Sequence, residues 1–457
     1  MTMSEKINLQ NEMTGDTTPS QNAPGGNTSF SGTPWAKFKD LMQRYKIGEF
    51  FQKYTMTIAL FIVVLVFYFW SEEKKGLILM PGNIRDLIGA NAYVFILATG
   101  MLLCILTGGN IDLSVGSVLC FSGAAGCVLI NNGWNIWLVA GFMLLIGLAV
   151  GAFQGFWIAK IRVPAFIATL AGMYAFRGLA SILLNGQRAD ITNVTFLKYF
   201  GVEKYSYIPD FVRDWFPELK DTFTKKNEFM KWLIGENFVT NFNVTCACIG
   251  ILAALLFIGF KVRKILVQHK LGIKQSVIGQ TISTILVAAV ILFVCIKLAS
   301  TRGFPWILLW IGLILGLYAY ITNKTAIGRH LYAVGGNEKA TALSGVKTRN
   351  VFWFAYANIG LLAGFAGILS VGRGKGMEAN FGEGFEMDAI ASCFIGGASA
   401  YGGSGKVSGM IIGALLMGVI NQGMGIVGVN AYYQKVVKGL VLLVAVLFDV
   451  LSKRQKR

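Results

Sequence analysis

The sequence predicts an all-α polytopic integral membrane protein of about twelve spans, and three observations carry that expectation. Of 457 residues, 54% are hydrophobic and only 14% are charged, where a soluble protein carries about 25%. Apolar runs close to 20 residues long, enough to cross a bilayer, recur along the chain. Lysines and arginines gather in short segments between alternate runs, as the positive-inside rule requires. The same clustering accounts for the formal charge of +18, and no recognition motif supports a nucleic-acid partner. All seven cysteines lie in or beside apolar runs and the chain has only two histidines, His269 and His330. This points to packed, reduced thiols and to no metal site.

In chain order, residues 1–45 are polar and rich in Gly, Ser, Thr, Asn and Pro, which predicts a disordered tail. Residues 46–457 form the transmembrane domain. Lys37, Lys39, Arg44, Lys46 and Lys53 precede the first run and place the N-terminus in the cytoplasm. Spans are expected at 54–70, 88–107, 115–130, 136–158, 163–185, 239–260, 277–298, 304–321, 351–372, 388–403, 407–427 and 433–450. Of these, 388–403 is short and runs into glycines. Twelve spans put both termini inside, together with Lys160, Arg162, the basic cluster from Lys261 to Lys274, the loop 322–350 and the basic C-terminal tail. Residues 186–238 form an external loop too long to lack structure, expected to fold back as a cap or docking surface.

Small residues allow helices to approach closely in lipid, and Gly147-Leu-Ala-Val-Gly151 and Gly360-Leu-Leu-Ala-Gly364 have that spacing. Residues 107–124 and 395–414 share a glycine pair, a polar stretch and a Gly/Ser entry into an apolar run, a hint of internal repetition. The run Thr107-Gly-Gly-Asn110-Ile-Asp112-Leu-Ser114-Val-Gly-Ser117 interrupts two apolar segments with a carboxylate. Such a run marks either a transport path or a tight turn. The sidedness count favours a helix-to-helix turn at the inner mouth, with Asp112 capping or pairing locally.

Gly402-Gly-Ser-Gly-Lys406-Val407-Ser408 imitates a phosphate-binding loop, but Ala400 and Val407 stand where that loop needs Gly and Ser or Thr. The chain therefore has no nucleotide site of its own. In the loop 322–350, Asn337 can cap a short helix, Glu338 falls in its first turn and Gly345 can end it. Such a helix is either an ordinary surface element or a handle for a soluble partner. Arg177 either snorkels outward or pairs with a carboxylate, and the pair is favoured. Glu386 and Asp388 are either path-lining or interfacial. Gln154 and Asn358 are expected to bond between helices, and Phe166, Tyr174 and Phe176 to pack.

Several motifs occur in one order: Gly109-Asn-Ile-Asp-Leu-Ser-Val-Gly-Ser117, Val163-Pro-Ala-Phe-Ile-Ala-Thr-Leu-Ala-Gly-Met173, Arg177-Gly-Leu-Ala180, Gly335-Gly-Asn337 with Leu343-Ser-Gly-Val346, and Phe385-Glu-Met-Asp-Ala-Ile-Ala391 before Ile395-Gly-Gly397. Together, over about residues 85–450, they resemble the permease subunits of ribose-type ABC sugar importers, and most of all the xylose and multiple-monosaccharide branch. The resemblance implies a type II-like ABC importer permease in the bacterial cytoplasmic membrane. It has a ten-span family core, with the loop 186–238 and the spans within 239–298 as additions. One departure is the residue inserted into the usual Gly-Ile-Asp, which reads Gly109-Asn110-Ile111-Asp112 here.

By the same resemblance, two permease copies form the path, an external binding protein delivers a monosaccharide, and a cytoplasmic ABC ATPase binds ATP and Mg. The chain itself holds no cofactor and is no enzyme. Gly335, Gly336, Asn337, Glu338, Ser344 and Gly345 would couple to that ATPase. Asp112, Ser114 and Ser117 would lie at the path or its inner mouth, and Asn110, Gln154 and Asn358 complete the polar candidates for it. Related cargoes are a furanosyl autoinducer or a nucleoside. An ion-coupled transporter would want deep carboxylates or histidine, and a membrane enzyme would want clustered acid, base or metal ligands; neither pattern stands out.

Overall fold

A computed structural model describes residues 47–70, 79–201, 206–211, 215, 242–271, 277–300 and 303–454. The expected tail 1–45, most of the loop 186–238 and the last three residues lie outside the described residues. Residues 1–55 and 56–457 form two separate units. Among the described residues, the first holds the opening turns of α1 (Ile47–Trp70), and the helical bundle belongs to the second.

The described chain is almost wholly helical. Its elements are α1 (Ile47–Trp70), α2 (Pro81–Ala90), α3 (Ala92–Leu106), α4 (Val115–Asn131), α5 (Ile136–Phe156), a π-turn (Trp157–Ile161), α6 (Ala165–Leu183), β1 (Ala189–Asp190), α7 (Val194–Phe200), α8 (Val244–Lys270), α9 (Val277–Ala299), α10 (Trp306–Lys324), α11 (Ala326–Gly336), α12 (Glu338–Leu343), α13 (Thr348–Gly374), β2 (Gly376–Met377), α14 (Phe385–Ile395), α15 (Val407–Val427) and α16 (Ala431–Arg454). Among the described residues, seven stretches are long and apolar enough to cross a membrane, and three shorter apolar helices accompany them.

Every residue of α3 is buried, so this helix is the axis of the bundle, packed by α13, α14, α15 and α10. The two small-residue faces meet as their spacing predicted. A Cβ on Gly147 would overlap the Gly360 carbonyl, and one on Gly151 would overlap that of Tyr356. Only glycines let α5 and α13 come so close. Outward-facing Phe166, Ile167, Tyr174 and Ile182 on α6, and Val436, Leu440 and Leu443 on α16, are exposed, as lipid-facing side chains are. Helices α8 and α9 pack chiefly on each other, with Cys246 Sγ donating to the Cys295 carbonyl at 3.6 Å.

The described part of the segment 186–238 packs against other helices. β1 pairs antiparallel with β2. Asp210 accepts from the Val244 and Thr245 amides at 2.9 Å, which caps the start of α8. Trp310 Nε1 donates to the Tyr199 carbonyl at 3.1 Å.

Two expectations are corrected. The helix in the segment 388–403 is shorter than expected: α14 has 11 residues, about 16 Å of helix, and ends where Gly397, Gly402 and Gly403 take left-handed backbone. The run 107–117 is not a tight turn. α14 starts with Phe385 stacked on Tyr93 in the first turn of α3 (centroids 3.5 Å apart). In the same turn, Glu386 lies against Gly116 in the first turn of α4. α3 and α4 therefore begin in the same half of the bundle, although residue 107 leaves the far end of α3, about 22 Å away. Residues 107–114 must run back into the protein, and eight extended residues reach about 26 Å. Gly108 and Gly109, with φ of +117° and +77°, make the reversal that other residues resist.

Candidate functional site

Three clusters of polar groups stand out, and the first is the sequence-predicted handle. Asn337 is extended and its Oδ1 accepts from the Ala340 amide at 3.0 Å, which starts α12. Gly345 ends it at φ +88°, its amide donating to the Ala342 carbonyl at 3.0 Å. Ser344 Oγ donates to the Thr341 carbonyl at 2.7 Å. Leu343 was not expected here: it is 89% exposed, the one large apolar side chain on this helix.

Two joints fasten this helix to the bundle. A Cβ on Gly335 would overlap the Leu106 carbonyl and the Gly403 amide, and Gly403 N donates to Leu106 O at 3.1 Å. Tyr332 OH donates to the Gly405 carbonyl at 2.7 Å. Gly402 lies on Gly108, and Gly109 lies under Ala400. Thus the two loops that resemble each other in sequence, after α3 and after α14, interlock beneath α11. Gly336 makes no such contact, since a Cβ there would meet open space.

The second joint is ionic. Glu338 Oε1 accepts from Arg162 Nη2 at 2.7 Å and from Thr348 Oγ at 3.2 Å. Arg162 is one of three described non-glycine residues with positive φ, at +70°, directly after the π-turn that closes α5. Its guanidinium lies over the Phe352 ring at 5.6 Å, and Lys160 Nζ donates to Asn350 Oδ1 at 3.0 Å. A π-turn followed by a left-handed arginine is a locally strained arrangement of the kind that recurs at functional joints.

The second cluster takes in part of the predicted path set. Asp112 Oδ1 accepts from the Ser114 amide at 2.8 Å and from Ser114 Oγ at 2.7 Å. Ser114 Oγ and the Gln154 amide lie within 3.0 Å. All three are buried, so Asp112 pairs locally while lying inside the bundle. Behind Gln154, an open groove of about 320 Å³ runs between α5 and α6, lined by Phe153, Trp157, Gly172 and Phe176. The other candidates stand apart. Asn110 Nδ2 donates to the Thr107 carbonyl at 3.2 Å. Asn358 accepts from Tyr318 OH at 2.7 Å, bonding between helices as expected. Ser117 Oγ is buried with no hydrogen-bond partner among the described residues.

The third cluster surrounds Asp388 at the head of α14. Asp388 is fully buried within the protein. Its Oδ2 accepts from Tyr93 OH at 2.7 Å, from Lys438 Nζ at 2.9 Å and from Asn421 Nδ2 at 3.3 Å. Asn421 also donates to Asn91 Oδ1 at 3.4 Å. Tyr93, Asn421 and Lys438 escape notice in the sequence because they come from three other helices; the signal that could have found Lys438 is a lysine within an apolar run. Among the described residues Arg177 pairs with no carboxylate. It donates to the Phe381 carbonyl at 3.1 Å, holding the segment that leads into α14.

Over most of its length the chain is similar to known proteins. A family model described as the permease component of the branched-chain amino acid transport system matches residues 83–217 and 221–446. The xylose transport system permease protein of Escherichia coli K12 is 32% identical over 400 residues, which are 87% of this chain and 92% of that protein. Its namesake in Haemophilus influenzae Rd is 30% identical over 408 residues, 88% of this chain and 97% of that protein. The ribose import permease protein of E. coli K12 is 29% identical over 405 residues, 84% of this chain and 95% of that protein. No solved structure matches the chain.

Proposed function

Because the chain belongs to the family of branched-chain amino acid transport system permease components, we propose that it is the membrane subunit of a binding-protein-dependent ABC importer for a monosaccharide of the xylose and ribose class. The observation that carries the reading is the short capped helix α12, which presents an exposed Leu343 outward and is tied inward to two parts of the bundle. A helix so placed is a handle for a cytoplasmic ATPase, which would bind the ATP and Mg. The relatives are named for xylose and ribose, and the buried polar groups near the axis suit a neutral solute.

A push on α12 would travel along both joints. Through Gly335 it reaches the interlocked loops 107–110 and 400–405, and so the ends of α3 and α14. Through Glu338 it reaches Arg162, and so the joint between α5 and α6. Movement of these helices relative to α13 would open one side of the path and close the other. In this reading two copies flank the path, the β-ribbon faces outward with the 186–238 loop, both termini lie in the cytoplasm, and the short helices complete a count of about twelve crossings.

The test is copurification of the chain with its ATPase partner, measured for wild type and Leu343→Asp. The charged variant should lose the ATPase while remaining in the membrane fraction. Full ATPase recovery with Leu343→Asp would remove α12 from the docking role.

A further inference from the structure

The cluster at the head of α14 lies at the opposite end of that helix from the loop that meets α11. Three donors converge on Asp388 Oδ2, yet among the described residues Asp388 Oδ1 is buried with no hydrogen-bond partner, and so is Asn421 Oδ1. A buried polar atom left unpaired is costly, so two bare acceptors on bonded neighbours need an explanation. Both call for donors. Lys438 cancels the charge of Asp388, so the cluster favours a neutral ligand over an ion, and its ammonium carries three N–H donors. Its side chain is 21% exposed while Asp388 is closed off.

Beside these groups, the Tyr93 and Phe385 rings stack with planes 12° apart. Carboxylate, amide and ammonium next to an aromatic face is the chemistry that recognises a polyol ring: each hydroxyl both donates and accepts, and the C–H face lies on the ring. We propose that Asp388, Asn421, Lys438 and Tyr93 form a binding station for a neutral, polyhydroxylated solute in the half of the bundle where α3, α4 and α14 begin. The proposal deepens the import reading and rests on it for the class of solute.

The station is closed as seen here. Asp388 is fully buried, and the small cavity beside Tyr93, lined by Phe381 and Arg373 but by none of the other three residues, has a volume of about 10 Å³, which admits no more than one water. A solute therefore enters only when the segment carrying Phe381 and Phe385 moves. Gly382 and Gly384, at φ +81° and +83°, lie between the two rings and give that segment left-handed backbone at two points. This segment feeds α14, whose other end leads into the loop interlocked beneath α11, so a station that opens with α14 would answer to the ATPase.

A plainer role for the same contacts is an ion pair that clamps α16 to α14. The two roles separate in one set of variants. A buried ion pair with a purely structural role can be replaced by apolar residues together without loss of the fold, whereas a solute station cannot. Binding of radiolabelled D-xylose to the purified full chain in nanodiscs is measured for wild type, Asn421→Leu and the double variant Asp388→Leu/Lys438→Leu, each first shown to be monodisperse. The station predicts saturable binding in wild type, an affinity at least tenfold weaker in Asn421→Leu, and none in the double variant. Wild-type affinity in Asn421→Leu, or recovery of binding in the double variant, overturns it. Absence of ATP-driven uptake by the assembled wild-type complex, with xylose binding intact, would instead count against the import reading and leave the station standing.

Discussion

Gly109 carries two constraints at once, and its neighbours show which one matters. Its φ is +77° and a Cβ would overlap the Ala400 carbonyl, whereas Gly133, at φ +78°, has nothing within 4 Å. Left-handed backbone alone costs a non-glycine residue about 1–2 kcal/mol, so Gly133→Ala should lower stability by about that much. Gly109→Ala must also push apart the two interlocked loops, and should lose far more; thermal unfolding of the two detergent-solubilised variants measures the difference. Glu338 gives the opposite case. The side chains of Glu338 and Arg162 are 37% and 45% exposed, and exposed pairs contribute about 0–1 kcal/mol. Glu338→Gln should therefore leave the unfolding temperature almost unchanged while lowering the solute moved per ATP hydrolysed. A large drop in unfolding temperature would make the bond a structural staple rather than a joint.

At the scale of elements, spacing decides what can be read from sequence. The α5–α13 contact was legible because Gly147, Gly151, Gly360 and Gly364 show their close approach in a local pattern of four. Gly360→Leu should prevent the chain from reaching a monodisperse state, while Gly178→Leu, with open space around its Cβ position, should not; size-exclusion profiles decide. The cap of α12 was legible for the same reason, since Asn337, Glu338 and Gly345 lie within nine residues. The head of α14 was not. Asp388 meets partners 295, 33 and 50 residues away, and no local pattern announces such a meeting. The return of 107–114 into the bundle was hidden by the charge pattern, which gives the side on which a loop lies but not how deep it dips. Positive φ at Gly397, Gly402 and Gly403 explains why hydropathy overran the end of α14.

At the scale of the molecule, one helix reaches two separate parts of the bundle. α12 meets the α5–α6 joint through Arg162, and α11 meets the loops after α3 and α14 through Gly335 and Tyr332. In the proposed reading, motion imposed on α12 would reach the buried axis and the flank together. Both joints should then be needed, so Gly335→Val and Arg162→Ala should each lower transport more than they lower ATP hydrolysis. The most direct measurement is uptake of radiolabelled D-xylose and D-ribose into proteoliposomes holding this chain with its ATPase, with the binding protein outside. Coupled import predicts accumulation that requires both ATP within reach of the ATPase and the binding protein, and that fails with Leu343→Asp. Accumulation driven by an ion gradient, without ATP or binding protein, would contradict it.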